Sequence, residues 1–430
     1  MLYINITILL IKSTFLRKYY NVNKVQIHYQ KILRFVFWLA FPILILFSVF
    51  FFQNNSYWEY YQLHWDITLV SLGIILINLF LYKILNLTNK NYPLLNIILI
   101  LGISFFLLTI FSSVKINIYL NLLFIFLSFG FANFFTSINK FNKSILFNYL
   151  LGIVLLQFCF FFLSSLSLLK QPLILTLFVG ISIIGLILNV KSIKNVKNIL
   201  KISLNNTEAL TILILSAVLF YSFMLTCLPQ TQSDGLVYRL TFLEQIKRLG
   251  TIPFHYYLWD WATPQGMKLV LIPGYFFNGE YGASTQIFIF FLLLVRLLYK
   301  IFDFFLEKKD LSLIFTVIII SSPFIWVQSF SIFFEVPILV FLLAGLSSIL
   351  YYEKSSNVYY MAIAAVCLAF ACIIKINILF FVLVLSCLYI LSKYFGHLYY
   401  SNKFIHNHFI FYLIIIVFIL FPWLVWTTIE

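Results

Sequence analysis

The sequence predicts an all-α polytopic membrane protein with about thirteen transmembrane helices. Three observations lead there. Hydrophobic residues make up 63% of the 430 residues and charged residues only 10%, against about half and about a quarter in soluble domains. The apolar residues fall in runs of about 20, the length that crosses a bilayer as a helix. Lys and Arg collect between the runs and alternate from loop to loop, as they do when basic charge sets orientation. A soluble fold could not hide this much apolar surface. A disordered chain would be polar and charged, and an outer-membrane barrel would show short alternating segments.

The elements follow in order. Residues 1–11 are apolar but short, with no basic lead and no small-residue cleavage site, so no cleaved leader is expected. Lys12, Arg17, Lys18, Lys24, Lys31 and Arg34 then place the N-terminus in the cytoplasm. The expected spans are 33–52, 67–85, 93–111, 117–135, 146–168, 172–190, 208–228, 284–302, 311–328, 333–351, 358–373, 377–393 and 409–427. The first outer loop, 53–66, carries Glu59 and Asp66 without Lys or Arg. Inner loops carry Lys83 with Lys90, Lys140 with Lys143, and Lys191, Lys194, Lys197 and Lys201; the outer turns between them carry only Lys115 and Lys170. The chain divides into residues 1–205, a six-helix region without an assigned role, and residues 206–430.

This alternation sends the seventh span outward and puts 229–283 on the extracytoplasmic side. Within it, 262–283 is apolar but interrupted by Pro264, Pro273 and Gly274, and reads as re-entrant or interfacial. Later turns alternate: 303–310 inside, 329–332 outside, 352–357 inside, 374–376 outside, 394–408 inside. The net charge of +15 is thus a topology signal, and no nucleic-acid partner is expected. The five cysteines, Cys159, Cys227, Cys367, Cys372 and Cys387, form no metal or redox spacing and read as packing residues.

Ionisable groups are costly in hydrocarbon, so their positions carry information. Asp234, Glu244, Asp260 and Glu280 all lie in the outer segment. Asp234 follows span seven closely. It reads either as a helix N-cap or as a functional carboxylate at the membrane surface. Leu236, Leu240, Leu243 and Ile246 then recur at helical spacing, with Arg239, Lys247 and Arg248 largely off that stripe and Gly250 as a C-cap. An amphipathic helix in the interface is expected, followed by an aromatic belt of Tyr256, Tyr257, Trp259 and Trp261. Glu244 with Lys247 reads as a solvated pair, Glu208 as a complement to the start of span seven, and Arg296 as a snorkelling cation. His255 reads more readily as structural than as a ligand. Glu335 opens span ten with Pro337 in the first turn, and Lys375 lies in the outer turn after span eleven. Glu335 is either a dipole-favoured surface group or part of a polar site. Lys375 is either a snorkelling lysine or the cation for an anionic headgroup such as a phosphate.

These features resemble the GT-C-fold membrane glycosyltransferases, especially the bacterial group similar to the dolichyl-phosphate-mannose–protein mannosyltransferases, family 39. The resemblance rests on Asp234 to Tyr238 in SDGLVYRL, on IFFEVPILVFLLAGL with its acid at Glu335, on IIKINI around Lys375, and on FPWLV near the end. It covers roughly 208–430. Arg239 stands where relatives have His, Glu335 where many have Asp, and Phe370 where a Gly is expected before the lysine. The family continues beyond the P-W segment, so a chain ending at Glu430 is expected to be a shortened form.

The resemblance implies sugar transfer from a polyprenyl-phosphate donor to a glycan, lipid or protein acceptor outside the cytoplasm, with inversion, at the cell (inner) membrane. It implies Asp234 and Glu335 as catalytic carboxylates, and Tyr238, Arg239, Lys375 and His255 as substrate-binding residues. Asp234 and Glu335 are also the candidate ligands for a divalent cation, Mg or Mn, whose requirement stays open. The competing class is a transporter or flippase for a lipid-linked or anionic substrate, which would keep ionisable groups near mid-membrane. A glycan polymerase or ligase, expected to lean on basic residues in its outer loop, is the third reading, and a purely structural membrane protein the last.

Overall fold

The structure is a computed structural model that describes residues 115–139, 144–188, 206–230, 235–253, 266–397 and 412–421. The expected spans 33–52, 67–85 and 93–111 lie outside the described residues, as do Glu59, Asp66, Asp234, His255, Asp260 and the belt around Trp259. The protein is an all-α polytopic membrane protein: the described residues form helices and no strand. Five of these helices are long and apolar enough to cross a membrane.

Helices α1 (Lys115–Ile138), α2 (Ile145–Ser165), α3 (Gln171–Leu188) and α4 (Asn206–Thr226) coincide with four expected spans. Their composition leaves no other way to satisfy the backbone inside lipid. Contact between α1 and α3 is very close, since a Cβ on Gly185 would lie 2.0 Å from the Gly130 carbonyl oxygen. Small residues permit such approach where helices associate in a membrane. Glu208 sits in the first turn of α4, where the helix dipole favours an acid.

The interruption expected at 262–283 takes the form of a hairpin. Helix α5 (Thr241–Leu249) is followed by the short α6 (Gly266–Val270) and by α7 (Ile272–Leu306). Inside α7, Asn278 and Gly279 leave helical geometry, Gly279 with φ 57° and ψ −140°. Eight residues of straight helix rise about 12 Å, yet a Cβ on Gly282 would fall 1.9 Å from the Gly274 carbonyl oxygen. The chain has folded back on itself, and the arm after Gly279 is the span expected at 284–302.

The expected span 311–328 is not one helix. Helix α8 (Lys309–Ile320) stops at Ser321, and Pro323 opens the short α9 (Pro323–Val327). Proline has no N–H to donate and its ring clashes with the carbonyl four residues back. The 12 residues of α8 rise about 18 Å, short of the roughly 30 Å hydrocarbon core. Helices α10 (Glu335–Ser355), α11 (Val358–Ile374) and α12 (Ile378–His397) then match their expected spans, and α13 covers Tyr412–Phe421.

Polar side chains gather the connections into two sets. In one, Ser164 Oγ accepts from the Ile252 amide at 2.7 Å, Gln171 donates to the Phe276 carbonyl at 2.7 Å, and Asn278 donates to Asn121 Oδ1 at 2.9 Å. In the other, Asn139 donates to Asn148 Oδ1 at 2.7 Å and to the Tyr359 hydroxyl, and Tyr389 donates to Glu353 at 2.5 Å. The first set joins turns that the charge alternation assigns to the outside, and the second joins turns assigned to the inside. One apolar core runs between them, with Phe131, Phe160, Phe290, Phe341 and Phe370 fully buried.

Candidate functional site

Glu335 is the first residue of α10 and Lys375 caps the end of α11. The two helices run antiparallel as close neighbours, and Gly345 lets Leu368 approach so near that a Cβ there would meet its Cγ at 2.6 Å. The start of one helix and the end of the other therefore meet, and Lys375 Nζ lies 3.5 Å from Glu335 Oε1. The Lys375 side chain is 51% exposed and that of Glu335 30%. An ion pair this open contributes about 0–1 kcal/mol, so packing of the two helices, not the pair, holds the arrangement. Glu335 Oε2 is buried and has no hydrogen-bond partner. It is an acceptor left without a donor beside a cation.

Arg239 approaches the same corner from the outer segment. Residues Gly235–Leu240 form a π-helical turn, a geometry with i→i+5 bonding that often accompanies functional sites. Arg239 donates to the Ile332 carbonyl, and its guanidinium lies 4.3 Å from the Phe334 ring centroid and 4.8 Å from that of Phe333. Tyr238 on the same turn is exposed, and Gly235, the covalent neighbour of Asp234, is buried. The structure thus brings Arg239, Glu335 and Lys375 to one end and leaves Tyr238 at its surface. Asp234 and His255 lie outside the described residues.

The amphipathic helix exists as α5, and Gly250 closes it with φ 73° as expected. Its stripe differs at one end. Leu236 falls in the π turn and is exposed, while Phe242, Leu243 and Ile246 are buried. The wider π turn shifts the helical phase, which is why Arg239 points inward against expectation. The apolar face of α5 joins the protein core. Glu244 is paired with Arg248 Nε at 3.0 Å, four residues on, in place of Lys247. Tyr275 also donates to Glu244 Oε2 at 2.8 Å, and this hydrogen bond, aided by the nearby cations, holds the carboxyl below its ordinary range.

Two neighbours escaped the sequence reading. Lys268 in α6 is only 2% exposed, with Nζ 4.7 Å from the Phe242 ring centroid; nothing in MKLVLIP separates it from a snorkelling lysine. Gln230 links Glu280, Ser284, Phe330 and Ile332, contacts between segments far apart in the chain. Among the described residues, no three His, Cys, Asp or Glu side chains form a metal-holding group. Glu335 offers one buried oxygen, with Lys375 already beside the other.

Residues 274–429 match the family model described as dolichyl-phosphate-mannose-protein mannosyltransferase. No curated protein and no solved structure matched the chain. Over this region the chain is similar to GT-C-fold mannosyltransferases. The matched region contains Glu280, Glu335 and Lys375 and begins after Asp234, Tyr238, Arg239 and His255.

Proposed function

We propose that the chain is an integral-membrane glycosyltransferase that moves a sugar from a polyprenyl-phosphate donor to an acceptor on the extracytoplasmic side. The observation that carries this reading is the pairing of Glu335 with Lys375 inside the region similar to the mannosyltransferases. Such transfer needs a carboxylate near the acceptor hydroxyl and a cation near the departing phosphate.

In this reading Asp234 accepts the proton of the acceptor hydroxyl, whose oxygen attacks the anomeric carbon from the face opposite the phosphate. The bond between that carbon and the phosphate oxygen breaks, and its electron pair leaves with the polyprenyl phosphate. The anomeric configuration inverts. A base within reach of the hydroxyl is worth about 10²–10⁴ in rate. Glu335 accepts a hydrogen bond from the acceptor through Oε2 and orients it. Lys375 turns from Glu335 toward the developing phosphate charge, where a fixed cation acts most strongly. Arg239, Tyr238 and His255 bind the substrates. A divalent cation, Mg or Mn, would be held by Asp234 and Glu335 and would supply charge stabilisation to the phosphate.

The acceptor is a glycan, lipid or protein. The protein works in the cell membrane with its N-terminus in the cytoplasm. Residues 206–430 carry the reaction. The break at Asn278–Gly279 is a feature shared with transporters and flippases. The gathering of Arg239, Glu335 and Lys375 at one end of the helices favours the enzyme.

The test compares source cells carrying wild type or Glu335→Gln at matched protein levels. Loss of one surface glycan with build-up of its lipid-linked donor is the expected result. Unchanged glycans and donors would sink the assignment.

A further inference from the structure

A glutamine side chain has two N–H donors and a carbonyl acceptor, and Gln230 uses all three. Nε2 donates to Ser284 Oγ at 2.7 Å and to the Phe330 carbonyl at 3.2 Å. Oε1 accepts from the Ile332 amide at 3.2 Å. Its own backbone N–H donates to Glu280 Oε2 at 3.1 Å. The residue is 6% exposed, so these bonds face no competition from bulk water. Glu280 and Ser284 are one helical turn apart and present the same face of α7, tied by Ser284 Oγ donating to the Glu280 carbonyl at 2.9 Å. One side chain therefore joins the end of α4, the second arm of α7 and the connection that leads to Glu335.

Ile332 is held on both sides of its backbone. Its N–H goes to Gln230 Oε1, and its carbonyl receives the guanidinium of Arg239. Gln230 and Arg239, nine positions apart in the chain, thus converge on a single residue. Ile332 itself stands three residues before Glu335. Gly235 packs into the same clasp: a Cβ there would lie 3.9 Å from both Gln230 Oε1 and Ile332 Cβ. A glutamine serving only to satisfy a buried amide would need one of these bonds, not three aimed at two separate segments.

We infer that Gln230 is a positioning residue for the transfer reaction, holding with Arg239 the backbone of Ile332 and so fixing where Glu335, three residues on, stands. The inference rests on the proposed function. Gln230 is buried with its side-chain donors and acceptor engaged within the protein. It acts through the backbone that leads to Glu335, and misplacement of a reacting group by about 1 Å costs about 10²-fold in rate.

The test uses the full chain in lipid nanodiscs. Gln230→Leu removes all three side-chain bonds, Gln230→Glu keeps only the acceptor, and Ser284→Ala removes one donor's partner. Amide exchange is followed in peptides covering 235–243 and 328–335, with 351–359 as a distant control, alongside kcat and KM for a polyprenyl-phosphate sugar. The expected result is faster exchange in both peptides, an unchanged control, a fall in kcat of about 10²-fold for Gln230→Leu, little change in KM, and intermediate values for Gln230→Glu. If Gln230→Leu does not fold, the graded pair of Gln230→Glu and Ser284→Ala carries the same comparison. Unchanged exchange overturns the clasp. Faster exchange with unchanged kcat overturns the positioning role. A wild-type chain that transfers no sugar overturns the function and the positioning role together, and the exchange measurement then reports on the clasp by itself.

Discussion

Glu335 at the first turn of α10 and Lys375, the residue that caps the end of α11, face each other across 3.5 Å. Forty residues of antiparallel helix separate them in sequence, and only the close packing of those helices brings them together. The remaining oxygen of Glu335 is buried without a partner. The pair is thus incomplete as a structural ion pair and suits half of a binding site.

Replacing Lys375 with Met should leave folding intact, because the exposed pair contributes about 0–1 kcal/mol. Transfer should fall by about 10²–10³, as when one preorganised stabilising group is removed from a transition state. Thermal unfolding in detergent and donor turnover check the two halves. A stability loss with matching loss of turnover would make Lys375 structural.

The Gly274–Gly282 contact predicts a steric cost. A Cβ at Gly282 would sit 1.9 Å from a backbone oxygen, so Gly282→Ala should destabilise by about 1–3 kcal/mol or more. Gly180, with nothing within 4 Å of its added Cβ, is the control. Gly180→Ala should be neutral or stabilising by up to about 1 kcal/mol through helix propensity. Equal melting temperatures for the two variants would contradict the hairpin geometry.

Arg239→Lys should not rescue Arg239→Ala. The guanidinium lies against two phenyl rings while donating to the Ile332 carbonyl, and an ammonium cannot reproduce a planar group that stacks and donates at once. Exchange in the 328–335 peptide is the readout. Full protection in the lysine variant would show that charge alone suffices.

Glu244 predicts a pH effect with a definite sign. Its carboxyl is held below the ordinary value of 4.5, first by the Tyr275 hydrogen bond. A depressed folded-state value contributes stability above the unfolded value and loses it as pH falls through the folded one. Glu244→Gln should therefore lower stability near neutral pH and flatten its fall below about pH 4.5. A variant whose melting temperature follows the wild type at every pH would refute the pairing.

Much of this is legible in the sequence. Run length and composition marked α1 to α4 and α10 to α12, and the alternation of Lys and Arg placed Glu335 and Lys375 on the same side. Sidedness does not say which turns touch, so their direct contact was beyond that argument. Pro323 is the sequence signal that breaks 311–328 into two helices. The contact of Arg239 with the Ile332 carbonyl is not legible in the sequence, because a π turn changes the period on which an apolar stripe is counted. Gln230 and Lys268 carry no local signal. Their partners are fixed by tertiary packing, and a single polar residue beside an apolar run reads the same whether buried or not.

The most direct test is a single-turnover reaction of the purified full chain in nanodiscs with a polyprenyl-phosphate sugar and an acceptor, following released polyprenyl phosphate and product configuration by NMR. The account predicts one polyprenyl phosphate released per glycoside formed, an inverted anomeric centre, and loss of both in Asp234→Asn. An intact donor carried across the membrane, or a product of retained configuration, would contradict it.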